Sequence, residues 1–187
     1  MAKRQVAKRI IGGKFKGTKL TFKPSKSLRP TEGKTKETLF NWLLNDLESK
    51  KCLDMFSGTG ALGFEAISRG ANNITFIEKK KGLCDSINSL ATKLNIKPQV
   101  KIINANALSM NYEPMNESFD LIFLDPPFHE GLLKKSIEII TKYNLLKKEG
   151  YLYIECESEL AIEPIAAGLQ QLKASKGGET KFYLYAS

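Results

Sequence analysis

Histidine is nearly absent from this chain: His129 is the only one among 187 residues, which leaves no material for a metal site built on imidazoles. Cysteine is scarce as well. Cys52, Cys84 and Cys156 are odd in number, widely spaced and without a Cys-x-x-Cys, so they read as reduced thiols in a cytoplasmic protein, not as disulfides or zinc ligands. No apolar run approaches the roughly 18 residues that span a bilayer. The start, Met1-Ala2-Lys3-Arg4-Gln5, is basic but lacks the apolar stretch of a signal peptide. Internal repeats and low-complexity stretches are missing too.

The remaining composition is that of an ordinary globular domain, 42% hydrophobic and 26% charged, with a short extension. The net charge of +9 is unevenly placed. Residues 1–51 hold 14 Lys and Arg against four acids, a net +10, which leaves −1 for residues 52–187. A solvated basic tail is one reading of this excess. Against it, Ile10-Ile11-Gly12-Gly13-Lys14-Phe15-Lys16-Gly17-Thr18-Lys19-Leu20 mixes apolar and glycine residues with its charges, which predicts a folded arm. A folded basic arm reads as a phosphate-binding surface, with Arg9, Lys14 and Lys16 as candidate nucleic-acid contacts. The expected division is an arm over residues 1–31 and a main domain over 32–187.

Along the chain, residues 6–23 predict a β-hairpin or a pair of short strands, turning at Gly12-Gly13 or Lys16-Gly17, and 25–31 a proline-bracketed loop. Leu39, Phe40, Leu43, Leu44 and Leu47 recur at helical spacing and predict a helix over 34–48, with Trp42 flanking the stripe. Phe40 and Trp42 read as core residues. Strands and helices then alternate. Strands are expected at 52–56, 74–78, 100–104, 119–124 and 151–157, and helices at 61–68, 82–94, 132–143 and 160–168. A last pair of strands, 170–174 and 181–185, turns around Gly177-Gly178. This is an α/β domain with a mainly parallel sheet and ligands at the carboxyl ends of its strands.

Two motifs carry chemistry. Leu121-Ile122-Phe123-Leu124 reads as a buried strand stopped by Asp125-Pro126-Pro127-Phe128. Pro-Pro after a strand serves equally as punctuation. The functional reading is a holder for a planar nitrogen base: Phe128 stacks, while the Asp125 side chain and the backbone carbonyl accept from an exocyclic NH2. The second motif is Leu53-Asp54-Met55-Phe56-Ser57-Gly58-Thr59-Gly60-Ala61-Leu62-Gly63, a G-x-G-x-x-G loop between strand and helix, with Glu78 ending the next strand. That pattern suits NAD, and it suits S-adenosylmethionine, which shares the adenosine but has no phosphate. Asp54 beside the loop repels a pyrophosphate and suits a ligand carrying ammonium and sulfonium groups, which favours S-adenosylmethionine. The glycines also fit a plain tight turn, and Glu78 a solvated strand end beside Lys79-Lys80-Lys81.

With Leu28-Arg29-Pro30-Thr31 and Lys36-Glu37-Thr38-Leu39-Phe40-Asn41-Trp42-Leu43 added, these segments closely resemble the RsmD family over nearly the whole chain. Those bacterial enzymes methylate N2 of one guanine in small-subunit (16S) ribosomal RNA. Gly33-Lys34 and Lys36 depart from the family's usual Asp-Arg and Arg, and Asn106 replaces an acid many relatives of the fold place at adenine. The resemblance implies a Rossmann-like class I methyltransferase, with a seven-stranded, mostly parallel sheet and an N-terminal hairpin. S-adenosylmethionine is the implied cofactor, and 16S ribosomal RNA within a small-subunit particle or assembly intermediate the partner. It assigns Asp125 and Pro126 to the target amino group, Phe128 to base stacking and Asp54 to the methionine end of the cofactor. Phe56, Ser57, Gly58, Thr59 and Gly60 would pass beneath the cofactor. Glu78 would take the ribose hydroxyls, and Lys79, Asn106 and Ala107 would flank adenine. Arg29, Thr31, Lys34 and Lys36 are candidate RNA contacts near the site, and His129 an ordinary loop residue. Two alternatives stay open: an amino-methyltransferase acting elsewhere, for example on adenine N6 of DNA, and a nucleic-acid-binding module with a vestigial pocket.

Overall fold

The structure is a computed structural model that describes residues 8–20, 33–44, 46–113, 119–162 and 168–187. Its first element is a two-stranded antiparallel ribbon of β1 (Lys8–Arg9) and β2 (Lys19–Leu20), with the intervening residues turning tightly. Helix α1 covers Gly33–Trp42. There follow β3 (Lys51–Asp54), α2 (Ala61–Ser68), β4 (Asn73–Ile77), α3 (Lys81–Lys93), β5 (Val100–Ile103) and β6 (Phe119–Leu124). Helix α4 (Leu132–Lys142), β7 (Leu146–Glu157), β8 (Gln170–Gly177) and β9 (Thr180–Ala186) are the last elements among the described residues. The proline loop expected at 25–31 and most of the helix expected at 160–168 fall outside the described residues.

The large sheet has seven strands in the order β5-β4-β3-β6-β7-β9-β8, and only β9 runs against its neighbours. From β3 the chain builds outward through β4 and β5 on one side, then returns to lay β6 and β7 on the other. The strand order therefore reverses between β3 and β6, and the carboxyl ends there open onto a crevice, the usual ligand position in such sheets. Strands β3, β4 and β6 read as apolar runs because both of their faces are covered. One face packs Phe40, Phe64, Phe76, Phe123 and Tyr153; the other packs Ile122, Leu124, Leu152 and Ile154 under Leu133, Ile137 and Ile140 of α4. Among the described residues no helix is long and apolar enough to cross a membrane.

Helix α2 is buried on every side, which explains its lack of a polar face. It lies on the sheet with Gly63 against β4, where a Cβ would sit 2.3 Å from the Phe76 ring. Its other side receives the basic arm. The arm's Ile10 and Leu20 are 1% and 2% exposed and belong to the main core, so residues 8–20 are part of the folded body. The tie is polar as well. The Glu65 carboxylate, wholly buried, accepts the backbone N–H groups of Ile11 and Gly12 at 2.8 Å each, the Arg69 Nε–H at 2.8 Å and the Lys36 ammonium at 3.1 Å. Gly13 (φ 70°) lies so close to α2 that a Cβ there would stand 1.8 Å from the Ser68 carbonyl oxygen.

Two boundaries differ from expectation. Helix α1 stops at Trp42, six residues early, because its hydrogen bonds tighten to i→i−3 (Leu44 to Asn41, Asp46 to Leu43) and the chain turns away. Leu47 still reaches the core, from the turn, whereas Leu44 faces solvent. Strand β7 begins five residues early, its register against β6 shifting between Phe119 and Leu121, so that a bulge joins residues 146–150 to the expected strand.

Candidate active site

Four of the five parallel strands from β3 to β7 share a sequence device: an apolar run with an acid at or near the strand's carboxyl end. These acids are Asp54, Glu78, Asp125 and Glu155, following Leu53, Ile77, Leu124 and Ile154. The sheet brings them together along one edge. A cleft of about 280 Å³ opens there, with Asp54, Glu78 and Asp125 in its wall.

The glycine loop forms its floor. The Ser57 hydroxyl donates to the Asp54 carbonyl at 2.8 Å, with the Ile77 carbonyl 3.0 Å away, which sews the loop to β3 and β4. Glu78 completes this seam, accepting the Gly58 N–H at 2.9 Å on one oxygen and the Lys80 N–H at 2.8 Å on the other. Each oxygen keeps a lone pair for a further donor. Phe56, Ser57, Gly58 and Thr59 line the cleft, while Gly60 caps α2 beneath it at φ 77°.

Asp54 is 3% exposed. Burial pushes its carboxyl up to about 8, the Asp125 charge adds to the rise, and the Gly63 backbone N–H and Lys8 oppose it. A buried acid whose proton is held by burial and by a neighbouring carboxylate is one whose ionised form a cation would favour. Opposite, Lys79, Asn106 and Ala107 line the cleft with the apolar side chains of Ile77, Leu83 and Leu108, a slot suited to a flat ring. The Asn106 side-chain oxygen accepts the Leu108 N–H at 3.0 Å, so it shapes that wall as well as facing it. The acids Asp54 and Glu78 and this slot, all lining one cleft, fit a ligand that carries a cation, hydroxyls and a flat ring, as S-adenosylmethionine does. A pyrophosphate would meet the acids instead.

Asp125 and Pro126 line the same cleft, as does Pro127. Phe128 stands outside its wall, half-buried, with its ring edge-on to His129 at 6.4 Å between centroids. His129 is exposed, at φ 61°, and donates its backbone N–H to Glu157. Of the expected nucleic-acid contacts, Arg9, Lys14, Lys16 and Lys34 are exposed, and Arg29 and Thr31 lie outside the described residues. Lys36 requires a correction. It is 5% exposed, its ammonium bound to Glu65 and donating to the Arg9 carbonyl at 2.6 Å, so it braces the arm from within and has no face for a phosphate.

Sequence reading missed three residues of this region. Lys8 of β1 lines the cleft beside Asp125. Glu155, 7% exposed, lies near the carboxyl end of β7, the strand next to Asp125, and accepts the Tyr153 hydroxyl at 3.1 Å. Glu65 anchors the arm. Glu155 was open to discovery, since it obeys the same rule of an acid after an apolar run; Lys8 and Glu65 carry no such local signal.

The sheet order, the glycine loop and the acid-lined switch point define a Rossmann-like class I methyltransferase fold. Residues 8–186 match the family described as conserved hypothetical protein 95, and the chain belongs to that family, which holds the small-subunit ribosomal RNA methyltransferases D. It is 41% identical to the ribosomal RNA small subunit methyltransferase D of Haemophilus influenzae over 153 residues, 81% of this chain and 79% of the relative. The solved structure of yhhF from Escherichia coli superposes with a TM-score of 0.84 at 34% identity, covering 96% of this chain and 97% of that one. The 16S rRNA N2 methyltransferase RsmC of Thermus thermophilus, in complex with AdoMet and guanosine, shares the fold at 19% identity. Its TM-score is 0.69, over 98% of this chain and 50% of that one.

Proposed function

We propose that this chain transfers a methyl group from S-adenosylmethionine to the exocyclic N2 of a guanine in small-subunit ribosomal RNA. The observation that carries the reading is the placing of Asp54 and Asp125 in one cleft, at the ends of two adjacent parallel strands. One acid is suited to the cofactor's ammonium and the other stands where a base would enter. The relatives' names supply the ribosomal RNA.

When bound, S-adenosylmethionine would supply an electrophilic methyl on a sulfonium and leave as S-adenosylhomocysteine, and the methylated amino group would give up one proton to solvent. The residues do the rest. Guanine N2 is a poor nucleophile because its lone pair is delocalised into the ring, so it must be held in line and relieved of growing positive charge. The Asp125 carboxylate and the Pro126 carbonyl accept from the amino group, orienting its lone pair and stabilising that charge. Phe128, at the rim, stacks on a base drawn out of its helix, since a paired N2 is out of reach. Glu78 holds the ribose hydroxyls, and Asp54 the methionine end. Arg9, Lys14, Lys16 and Lys34, with Arg29 and Thr31, take up phosphates of the RNA.

Radiolabelled methyl transfer to naked ribosomal RNA, to small-subunit particles and to DNA tests this reading. Transfer to the RNA or the particle supports it and identifies the form used. Transfer to DNA alone overturns it in favour of a DNA amino-methyltransferase.

A further inference from the structure

Lys8 is held where few lysines stand. Its strand is pinned immediately after it: the Arg9 carbonyl takes the Lys36 ammonium, and Ile10 is sealed into the core. The short strand alternates, so Arg9 lies outside on solvent and Lys8 enters the cleft, lining it with Asp54 and Asp125. Beyond Asp125 lies Glu155. The register of β6 on β7 pairs Leu124 with Ile154, so the next residues, Asp125 and Glu155, are neighbours at the sheet edge. Three carboxyl groups from β3, β6 and β7 thus meet in a largely buried place, and the arm brings a cation to them.

We propose that Lys8 is a positioning residue of the reaction site, its ammonium acting as counter-ion to Asp125 and Glu155 and keeping Asp125 ionised for the incoming amino group. The assignment rests on the reading of Asp125 given above. Two carboxylates side by side resist joint ionisation, and one of them takes up a proton unless a cation offsets the repulsion. A protonated Asp125 would be a weak acceptor for a nitrogen gaining positive charge. The surroundings agree. Burial lowers the Lys8 ammonium below the ordinary lysine range, while Asp125 acts most strongly to hold its proton, followed by Glu155. Among the described residues, the other charged or titratable groups that bear on the cluster are Lys36 of α1, Asp54 of β3, Glu78 after β4, and Cys156 and Tyr153 of β7, the Tyr153 hydroxyl donating to Glu155.

The test compares the full-length parent with Lys8→Met, Lys8→Arg and, for the arm's charge alone, Lys19→Gln. Single-turnover methyl transfer is followed against pH, and the Asp125 carboxyl is titrated by carbon-13 NMR in the ligand-free protein. Lys8→Met is expected to move the acidic limb of the rate profile upward by roughly one pH unit or more, and the carboxyl titration with it. Lys8→Arg restores both, and Lys19→Gln moves neither. Lys8→Gln replaces Lys8→Met if the methionine variant is unstable. A carboxyl titration unchanged in the neutral variant overturns the assignment, even where the rate falls evenly at every pH. A shifted titration in a protein that transfers no methyl to guanine upholds Lys8 as counter-ion and overturns the functional reading instead.

Discussion

Gly58 donates its backbone N–H to Glu78 at 2.9 Å, so the acid expected at the ribose is also the latch of the glycine loop. Glu78→Ala therefore does two things: it removes an acceptor for the ribose, and it leaves the Gly58 and Lys80 N–H groups unpaired. S-adenosylmethionine affinity is expected to fall by about 1.5–3 kcal/mol in titration calorimetry. Melting of the ligand-free protein should fall as well. A drop in affinity with unchanged melting would make Glu78 a ligand residue alone.

Asp54 predicts a proton count. With its carboxyl raised to about 8, the ligand-free protein carries a proton there at neutral pH. An ammonium beside it favours the ionised form, so binding S-adenosylmethionine at pH 7 should release close to ~1 proton, read from calorimetry in buffers of different ionisation enthalpy. The release should fade above pH 8 and vanish in Asp54→Asn. The sign for stability follows. The folded value lies above the unfolded one, so the contribution of Asp54 is complete below the ordinary Asp range and is lost as pH rises through about 8. Urea midpoints between pH 5 and 8.5 should slope downward less in Asp54→Asn.

The arm's attachment predicts a contrast between glycines. Gly13→Ala places a Cβ into the Ser68 carbonyl at a φ of 70° and should undock the arm. Gly17→Ala, also at positive φ but with open space around it, should cost about 1 kcal/mol. Glu65→Ala strips Lys36 of its buried partner and should cost about 3–5 kcal/mol. Chemical denaturation of the three variants checks the order.

Because residues 8–20 belong to the core, surface charge must be tested without removing the arm. Lys14→Gln, Lys16→Gln and Lys34→Gln each take away one exposed cation. Each should flatten the dependence of log RNA affinity on log salt by about 0.7–0.9 for every phosphate that is no longer neutralised. Cofactor affinity should hold. An unchanged slope in the triple variant would leave those lysines a role in solubility only.

The sheet was legible because its strands are short apolar runs between turn residues, and the acids at or near the carboxyl ends of four of them were visible as letters. Strand β6 and helix α2 fall on their expected bounds for that reason. Lys36 was misread because a charge pattern does not tell whether a cation meets water or a distant carboxylate such as Glu65. The end of α1 was missed because Leu47 keeps helical spacing while packing from a turn. Lys8 depends on which way a two-residue strand alternates over a sheet edge formed much later in the chain. Contacts of that range leave no local trace.

Asp125 is the most direct point of attack. The decisive measurement is single-turnover methyl transfer to small-subunit ribosomal RNA, with nucleoside analysis of the product, for the parent, Asp125→Ala and Phe128→Ala. The parent should form N2-methylguanosine. Asp125→Ala, still folded, should slow by roughly 100-fold or more. Phe128→Ala should lose about 1–3 kcal/mol in capture of the RNA base, with Phe128→Tyr retaining much of the activity. A methyl group found on another atom, or transfer by Asp125→Ala at the parental rate, would contradict the account.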